Sequence, residues 1–462
     1  VADLIADVTG NLAARAASFV KENRLPGAAV GVVHGDDLAW SAGIGFSDVS
    51  ARQLPHAATL YRIASITKTF TGTAIMQLRD AGLLHLDDPA IAHVPELRWA
   101  TSPFGTIETV TIRRMLAHES GLASEPPGTD WAVTDYQGVA ERTLERIADI
   151  GTKVPPNLQQ KYSNLAYQLL GEIVTRVSRV PYPNYVREAI LEPLAMSATG
   201  FEPLPDALLA RRATGYAPRT FSDELDLAPA TPPVWAEGGL WSCVADLARW
   251  LSFQLRAYRD PAADSPVLAA ASLRDMHKPR YLGDDEWTNA WGISWYAVRR
   301  DDGIWIQHSG GLPGFTSNVC FDPKEQVGAV VLLNGSGNAS ELAMDLAAIA
   351  RGAVRATAVG PEPPAPTPES FRPLLGIYAS LERGLLIRLE WRDGKLTFVD
   401  PDLVTWRPTL APTGNPDIFV VEPGFRQSGE PVIFRRLPDG RVASVFLAAA
   451  TFARMDRVLP AD

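Results

Sequence analysis

The sequence predicts an α+β chain in two parts: a sheet covered by terminal helices with an all-helical lobe inserted into it, and then a small antiparallel β-barrel. Three observations lead there. Strand-like runs stand near both ends of the first 355 residues with a long helical stretch between them. A Pro-rich segment interrupts all periodicity after Arg355, and the remainder alternates strand after strand. The expected boundaries are 1–355 for the first domain, 356–372 for a linker and 373–462 for the second domain. At roughly 100–200 residues per domain, 462 residues hold two or three units, each able to bury a sizeable core.

The elements follow in order. Leu4, Ile5, Val8, Leu12, Ala16 and Phe19 recur at helical spacing, so the chain opens on an amphipathic helix within Val1–Asn23. The period then changes. GAAVGVVHGDDLAWSAGIGF, residues 27–46, is two apolar runs around His34-Gly35-Asp36-Asp37, a β-hairpin with a small polar turn. Helical signals dominate from Ser65 to about Leu255, punctuated by loops at Ser124–Asp130 and Ala228–Pro233. Short β-branched and aromatic runs return at Trp291–Arg299, Ile304–His308, Ser317–Asp322 and Val327–Asn334, and Glu341–Val354 restores a helix. A helical insertion between parts of one sheet makes a second lobe, with a site between the lobes. TAVGPEPPAPTPESFRP suits a stiff extended linker. Beyond about Leu374, GLLIRLEWRDGKLTFVD, DIFVVE and PVIFRRLPDGRVASVFLA read as strands, with Arg-Asp-Gly-Lys and Pro-Asp-Gly-Arg as hairpin turns.

Composition narrows the function. A formal net charge of −10 argues against a broad electrostatic hold on nucleic acid or anionic lipid. Cys243 and Cys320 lie far apart, outside any Cys-rich metal spacing, and read as reduced core residues, with a disulfide between them as the alternative. The seven histidines are scattered, and nothing has metal spacing. No segment reaches the ~20 apolar residues of a membrane span, and the first residues lack the pattern of a signal peptide. The chain reads as soluble. Because it begins at Val1, an export signal removed upstream is compatible with it, and compartment and oligomeric state stay open.

YRIASITKTFTGTAIMQLRDA, residues 61–81, begins extended and then places Ile66, Phe70, Ala74, Ile75 and Leu78 at helical spacing, which puts Ser65 near a helix N-terminus and Lys68 one turn later on the same face. Backbone N–H groups there can stabilise an oxyanion, while the positive helix end and burial lower the lysine pKa, so that Lys68 becomes a base toward Ser65. The spacing alone is cheap. Ser18-Phe19-Val20-Lys21 repeats it inside the first helix, and a plain capping role for Ser65 stands beside the catalytic one. Tyr162-Ser163-Asn164 opens another helical stretch; a tyrosine facing a lysine cation has its pKa lowered toward a proton shuttle, and Asn164 adds an amide for a substrate carbonyl. Tyr182-Pro183-Asn184 repeats that triplet as well. His308-Ser309-Gly310-Gly311 follows a strand, where Gly310 and Gly311 let a substrate lie against the strand edge; the bland alternative is a tight turn with a solvated histidine. No Gly-x-Ser-x-Gly elbow or Gly-Lys-Ser/Thr phosphate loop occurs, and His118-Glu119-Ser120-Gly121-Leu122 has Leu122 where a zinc helix needs histidine.

These pieces in this order, together with AGLLHLDDPAIAHVPEL, TIRRMLAHESGLAS, EGGLWSCVADLARWLSFQL and HSGGLPGFTSNVCFDPKEQVGAVVLLN, resemble the serine β-lactamase and penicillin-recognising family, in its class C β-lactamase, D-aminopeptidase and esterase branch, from about Gly27 to Arg355. The resemblance implies a mixed antiparallel sheet flanked by helices plus a helical lobe. It implies Ser65 as acylated nucleophile, Lys68 and Tyr162 sharing general-base and general-acid work, Asn164 orienting substrate, and the N–H groups of Ser65 and Gly311 as oxyanion hole. It also implies hydrolysis of a small amide or ester, a D-residue peptide or a short acyl ester, with no metal or organic cofactor. One departure matters: the third motif of β-lactamases and transpeptidases usually begins with lysine, which holds a substrate carboxylate, and here it begins with His308. That disfavours a β-lactamase or D-Ala-D-Ala carboxypeptidase. The segment opening with Gly376-Ile377-Tyr378 resembles the lipocalin-like barrel of that branch. A penicillin-binding receptor without turnover, or a scaffold, is the reading from another class. His118 and Ser120 read as loop stabilisers, and Trp235, Trp241 and Trp250 as core.

Overall fold

The computed structural model describes residue 5 and residues 7–126, 143–217, 226–228, 235–260, 265–300, 303–357, 366–380, 385–392, 394–399, 407–424 and 427–455. The chain divides into two compact units, Val1–Thr357 and Ala358–Asp462. Parts of the expected loops at 124–130 and 228–233, residues 358–365 of the expected linker, and Asp393 of the Arg-Asp-Gly-Lys turn lie outside the described residues.

In the first unit, helix α1 (Thr9–Glu22) leads into strands β1 (Gly27–His34) and β2 (Asp37–Gly45). Strand β3 (Tyr61–Arg62) and a 3-10 turn at Ala64–Ile66 enter helix α2 (Thr67–Asp80), and helix α3 (Asn164–Ser178) follows across the helical lobe. Strand β4 (Trp241–Ser242), which pairs with β3, precedes helices α4 (Val244–Arg259) and α5 (Ala270–His277). Then come β5 (Tyr281–Leu282), β6 (Asn289–Trp291), β7 (Tyr296–Arg300), β8 (Gly303–Leu312), β9 (Phe315–Asp322), β10 (Val327–Leu333) and helix α6 (Ala339–Thr357). The main sheet has the order β2-β1-β10-β9-β8-β7-β6-β5 with antiparallel pairing throughout. This order explains why the first hairpin and the last strands are far apart in sequence: β1 pairs with β10 across the whole helical insertion.

Both faces of the central strands are covered, which is why β1 and β10 read as unbroken apolar runs. Val30 and Val32 join Leu12, Phe19, Leu342 and Leu346 of α1 and α6 on one face, while Ala29 and Val33 join Val244, Leu247 and the helical lobe on the other. The expected run Trp291–Arg299 is split into β6 and β7, because Gly292 lies so close to the Met276 carbonyl that a Cβ would sit 2.2 Å from it, and Ser294 turns the chain at a φ of 59°. Cys243 and Cys320 are buried free thiols, as expected, and burial pushes both pKa values up, to about 11 and about 12.

Helix α2 departs from its expected amphipathicity. Thr67 to Met76 are buried on every side of it. The polar positions are satisfied locally: Thr69 Oγ1 donates to the Ile66 carbonyl at 2.8 Å, Thr73 Oγ1 to the Thr69 carbonyl at 2.9 Å, and Thr71 Oγ1 to the Ala236 carbonyl at 2.6 Å. Threonine therefore packs here almost as an apolar residue, since its hydroxyl costs little once bonded.

The second unit is a closed barrel of β11 (Gly376–Ser380), β12 (Leu385–Arg392), β13 (Lys395–Val399), β14 (Thr409–Pro412), β15 (Ile418–Val421), β16 (Pro431–Arg436), β17 (Val442–Leu447) and β18 (Ala450–Arg454), each beside its neighbour in sequence, with β18 returning to β11. Tyr378, Ile387, Leu389, Leu396, Phe398, Phe419, Phe434 and Val445 fill it, at the alternate positions a strand turns inward.

Candidate active site

Ser65 stands in the 3-10 turn just before α2, after Ala64, whose φ of 48° is left-handed for a residue with a Cβ. Such a conformation costs on the order of 1–3 kcal/mol and persists where surrounding packing enforces it. Lys68, one turn on, is fully buried. Its Nζ donates to Ser65 Oγ at 3.0 Å, to Asn164 Oδ1 at 2.7 Å and to the Glu237 carbonyl at 2.5 Å. Burial lowers its pKa to about 7 against the opposing pull of Glu237 and Glu125, the direction the sequence predicts.

Tyr162 completes the cluster: its hydroxyl is hydrogen-bonded to Ser65, and Lys68 Nζ lies 5.0 Å from its ring centroid. The expectation that Lys68 lowers the tyrosine pKa is not met. Burial dominates and raises it, and the Ser65 hydrogen bond offsets only part of that rise. Tyr162 thus holds its proton, which suits a donor better than a resting base. His118 stacks on its ring at 4.1 Å and accepts the Ser163 N–H at Nδ1, 3.1 Å away, so the histidine positions the tyrosine from behind, as a loop stabiliser. Ser163 caps α3, accepting the Ala166 N–H at 3.0 Å and donating to the Ala123 carbonyl at 2.7 Å, which fixes Asn164 in the first turn. The Asn164 amide is engaged at both ends, accepting from Lys68 and donating from Nδ2 to Glu125 Oε1 at 2.8 Å.

Strand β8 brings the third motif. Gly310 and Gly311 pair with Ser317 and Thr316 of β9. The two glycines serve different ends. A Cβ at Gly311 would meet open space, whereas one at Gly310 would fall 2.1 Å from the Ile63 carbonyl and 2.4 Å from Ser317 Oγ. Gly310 lets the sheet approach the Ser65 turn, which Ser317 Oγ also holds by donating to the Ile63 carbonyl at 2.9 Å. Gly310→Ala should therefore displace Ser65 and cut kcat/KM for a p-nitrophenyl ester about 100-fold, the effect of a ~1 Å misplacement, with the far-UV spectrum unchanged. A wild-type rate would show that the close approach is unnecessary. His308 is 1% exposed, its Nδ1 donating to the Ser309 carbonyl at 2.7 Å and its ring edge-on to Trp291 and Tyr296. Burial, reinforced by Lys68, pushes its pKa down to about 3, so the imidazole is neutral.

Ser65, Asn164 and Gly311 border a cavity of about 460 Å³ together with Glu125, Glu237 and Leu312. Glu125 and Glu237 were not singled out from the sequence. Glu237 lies in the EGGLWS block and Glu125 in a loop, and neither has a spacing signal; only the fold carries them to Lys68. The duplicate motifs fall elsewhere: Ser18 donates to Glu22 on the exposed face of α1, and Tyr182 is buried against Thr71 at 2.8 Å. Trp241 and Trp250 are core residues as expected, while Trp235 is 39% exposed and stacks on Phe201.

Comparisons with known proteins bear on the family and the fold of the chain. A family model described as Beta-lactamase matches residues 12–354. Protein flp of Staphylococcus aureus is 30% identical over 324 residues, 68% of this chain, and the chain spans 61% of the length of that relative. Penicillin-binding protein 4 of Amycolatopsis lactamdurans is 29% identical over 376 residues, covering 77% of this chain and 94% of the relative. The octameric penicillin-binding protein homologue from Pyrococcus abyssi superposes with a TM-score of 0.63 at 24% identity, covering 96% of this chain and 99% of its own. A D-stereospecific amidohydrolase from Streptomyces sp. does so with a TM-score of 0.60 at 22% identity, over 73% of this chain and 98% of its own. These two structural likenesses are likenesses of fold. No helix among the described residues is long and apolar enough to cross a membrane.

Proposed function

The chain belongs to the beta-lactamase family, and from that premise we propose that it hydrolyses a small amide or ester, a D-residue peptide or short acyl ester, through an acyl-enzyme on Ser65. The observation that carries this reading is the Lys68 Nζ to Ser65 Oγ contact of 3.0 Å, with the Tyr162 hydroxyl on the same serine at a cavity wall. Ser65 Oγ attacks the scissile carbonyl while neutral Lys68 takes its proton, and the oxyanion rests on the N–H groups of Ser65 and Gly311. The C–N or C–O bond breaks as Tyr162 donates a proton to the leaving group and is reprotonated from Lys68. Water then attacks the acyl carbonyl, its proton returning through the same pair to Ser65, and a carboxylic acid leaves. Asn164 holds the lysine in place, and neutral His308 gives a substrate carboxylate no cation, which favours peptidase or esterase chemistry over a β-lactamase.

A p-nitrophenyl ester tests this directly. We expect a burst of one equivalent followed by continued turnover, with the acyl mass on the Ser65 peptide; a burst with no further turnover is the behaviour of a receptor and would overturn the hydrolase reading. The pH profile has a defined sign. Lys68 acts unprotonated and its pKa is depressed to about 7, so kcat/KM should rise with pH up to about 7 and level above it. A profile flat from about pH 5 to 9 would remove Lys68 as the base.

A further inference from the structure

Pro313 is a wall of two cavities, the one at Ser65 and a second of about 510 Å³. Among the described residues that line the second, Arg62 and Arg212 are cationic and Glu202 alone is anionic. The pairing of β3 with β4 sets Arg62 opposite Trp241, and the guanidinium carbons of Arg62 and Arg212 both stand over the indole, 5.1 and 5.3 Å from its ring centroid. Glu202 spans the two arginines, Oε2 accepting from Arg62 Nη2 at 3.1 Å and Oε1 from Arg212 Nη1 at 3.2 Å. Among the described residues that is the one hydrogen bond holding the Arg212 side chain, although a guanidinium carries several N–H donors in a planar fork that matches a carboxylate or a phosphate. Burial lowers the Arg62 pKa; Glu202 opposes the fall and Arg212 adds to it, as when two cations are pressed together. Trp241 supplies an independent sign. It is 5% exposed, and its Nε1 has no hydrogen-bond partner among the described residues. An indole N–H can only donate, and a buried one ordinarily finds an acceptor. The missing component is therefore an acceptor that carries negative charge. The volume is that of a small-molecule site and exceeds what a bare anion needs, and Leu209 and Phe315 give the rest of a ligand an apolar wall.

We propose that Arg62, Arg212 and Trp241 form an anion-binding site, separate from the cavity at Ser65, for a small molecule that carries a carboxylate or a phosphate on an apolar body. Isothermal titration of the full chain with benzoate, phenyl phosphate and the neutral isostere benzamide tests it. Both anions should bind saturably and benzamide should not, and the tighter of the two anions identifies the head group as carboxylate or phosphate. Arg212→Gln should weaken the anions on the order of 10- to 100-fold, the range for a hydrogen bond to a charged group. Trp241→Phe, which keeps a ring and loses the N–H, should weaken them about 2- to 10-fold. The Arg212 side chain is 38% exposed, so Arg212→Gln keeps the test open should Trp241→Phe fail to fold. Benzamide binding as tightly as benzoate, no saturable binding of either anion, or anion binding undiminished in Arg212→Gln would overturn the site, the last by placing the anion elsewhere.

Discussion

Ser65→Ala should abolish covalent labelling and lower hydrolysis by on the order of 10³-fold or more, with the fold intact. The size of the effect follows from the geometry: Lys68 Nζ and the Tyr162 hydroxyl both converge on Ser65 Oγ, and an alanine leaves the proton relay nothing to activate. The substitution is small, and its site is already lined by open cavity, so stability should change little. Intact-protein mass spectrometry after incubation with an ester reads the outcome. Labelling that persists, or that moves to Ser18, would sink the nucleophile assignment.

The second large effect belongs to Lys68 and Tyr162 together. Lys68→Ala and Tyr162→Phe should each lower kcat by about 10²–10⁴-fold, the range for a positioned acid or base. The double variant should be hardly worse than the poorer single one, because both residues act on one serine and exchange one proton. Pre-steady-state acylation rates of the four proteins form the cycle. If the two effects multiply, the residues work independently and the shared relay is wrong. Lys68→Ala also removes an amine bonded to Asn164 and to the Glu237 carbonyl, so thermal unfolding of each variant should accompany the kinetics.

The order of elements and the contact of Ser65 with Lys68 were legible in the sequence because each rests on local period or spacing. The hairpin at 27–46 is two apolar runs around a polar turn, Ser65 and Lys68 are one helical turn apart, and the barrel strands keep period two between turns. What stayed hidden depends on long-range packing. The burial of α2 on all sides comes from segments far along the chain, as when Ala236 accepts the Thr71 hydroxyl. The rise in the Tyr162 pKa is a desolvation effect, which no spacing encodes, and the role of Gly310 lies in its closeness to Ile63 across the fold. Glu125 and Glu237 are 112 positions apart and come together only in the folded chain, at the cavity beside Lys68.

The enclosure of α2 also links the chemistry to the cooperativity of the unit. Local opening requires an element that can leave its neighbours without exposing much apolar surface, and α2, with Phe70, Ile75, Met76 and Leu78 buried and its threonines tied to surrounding carbonyls, cannot do so. Its amides belong among the slowest to exchange with solvent, opening only when the whole unit unfolds. Ser65, the proposed nucleophile at its head, is thereby kept from partial unfolding, and labelling of Ser65 should be lost in the same transition as the fold.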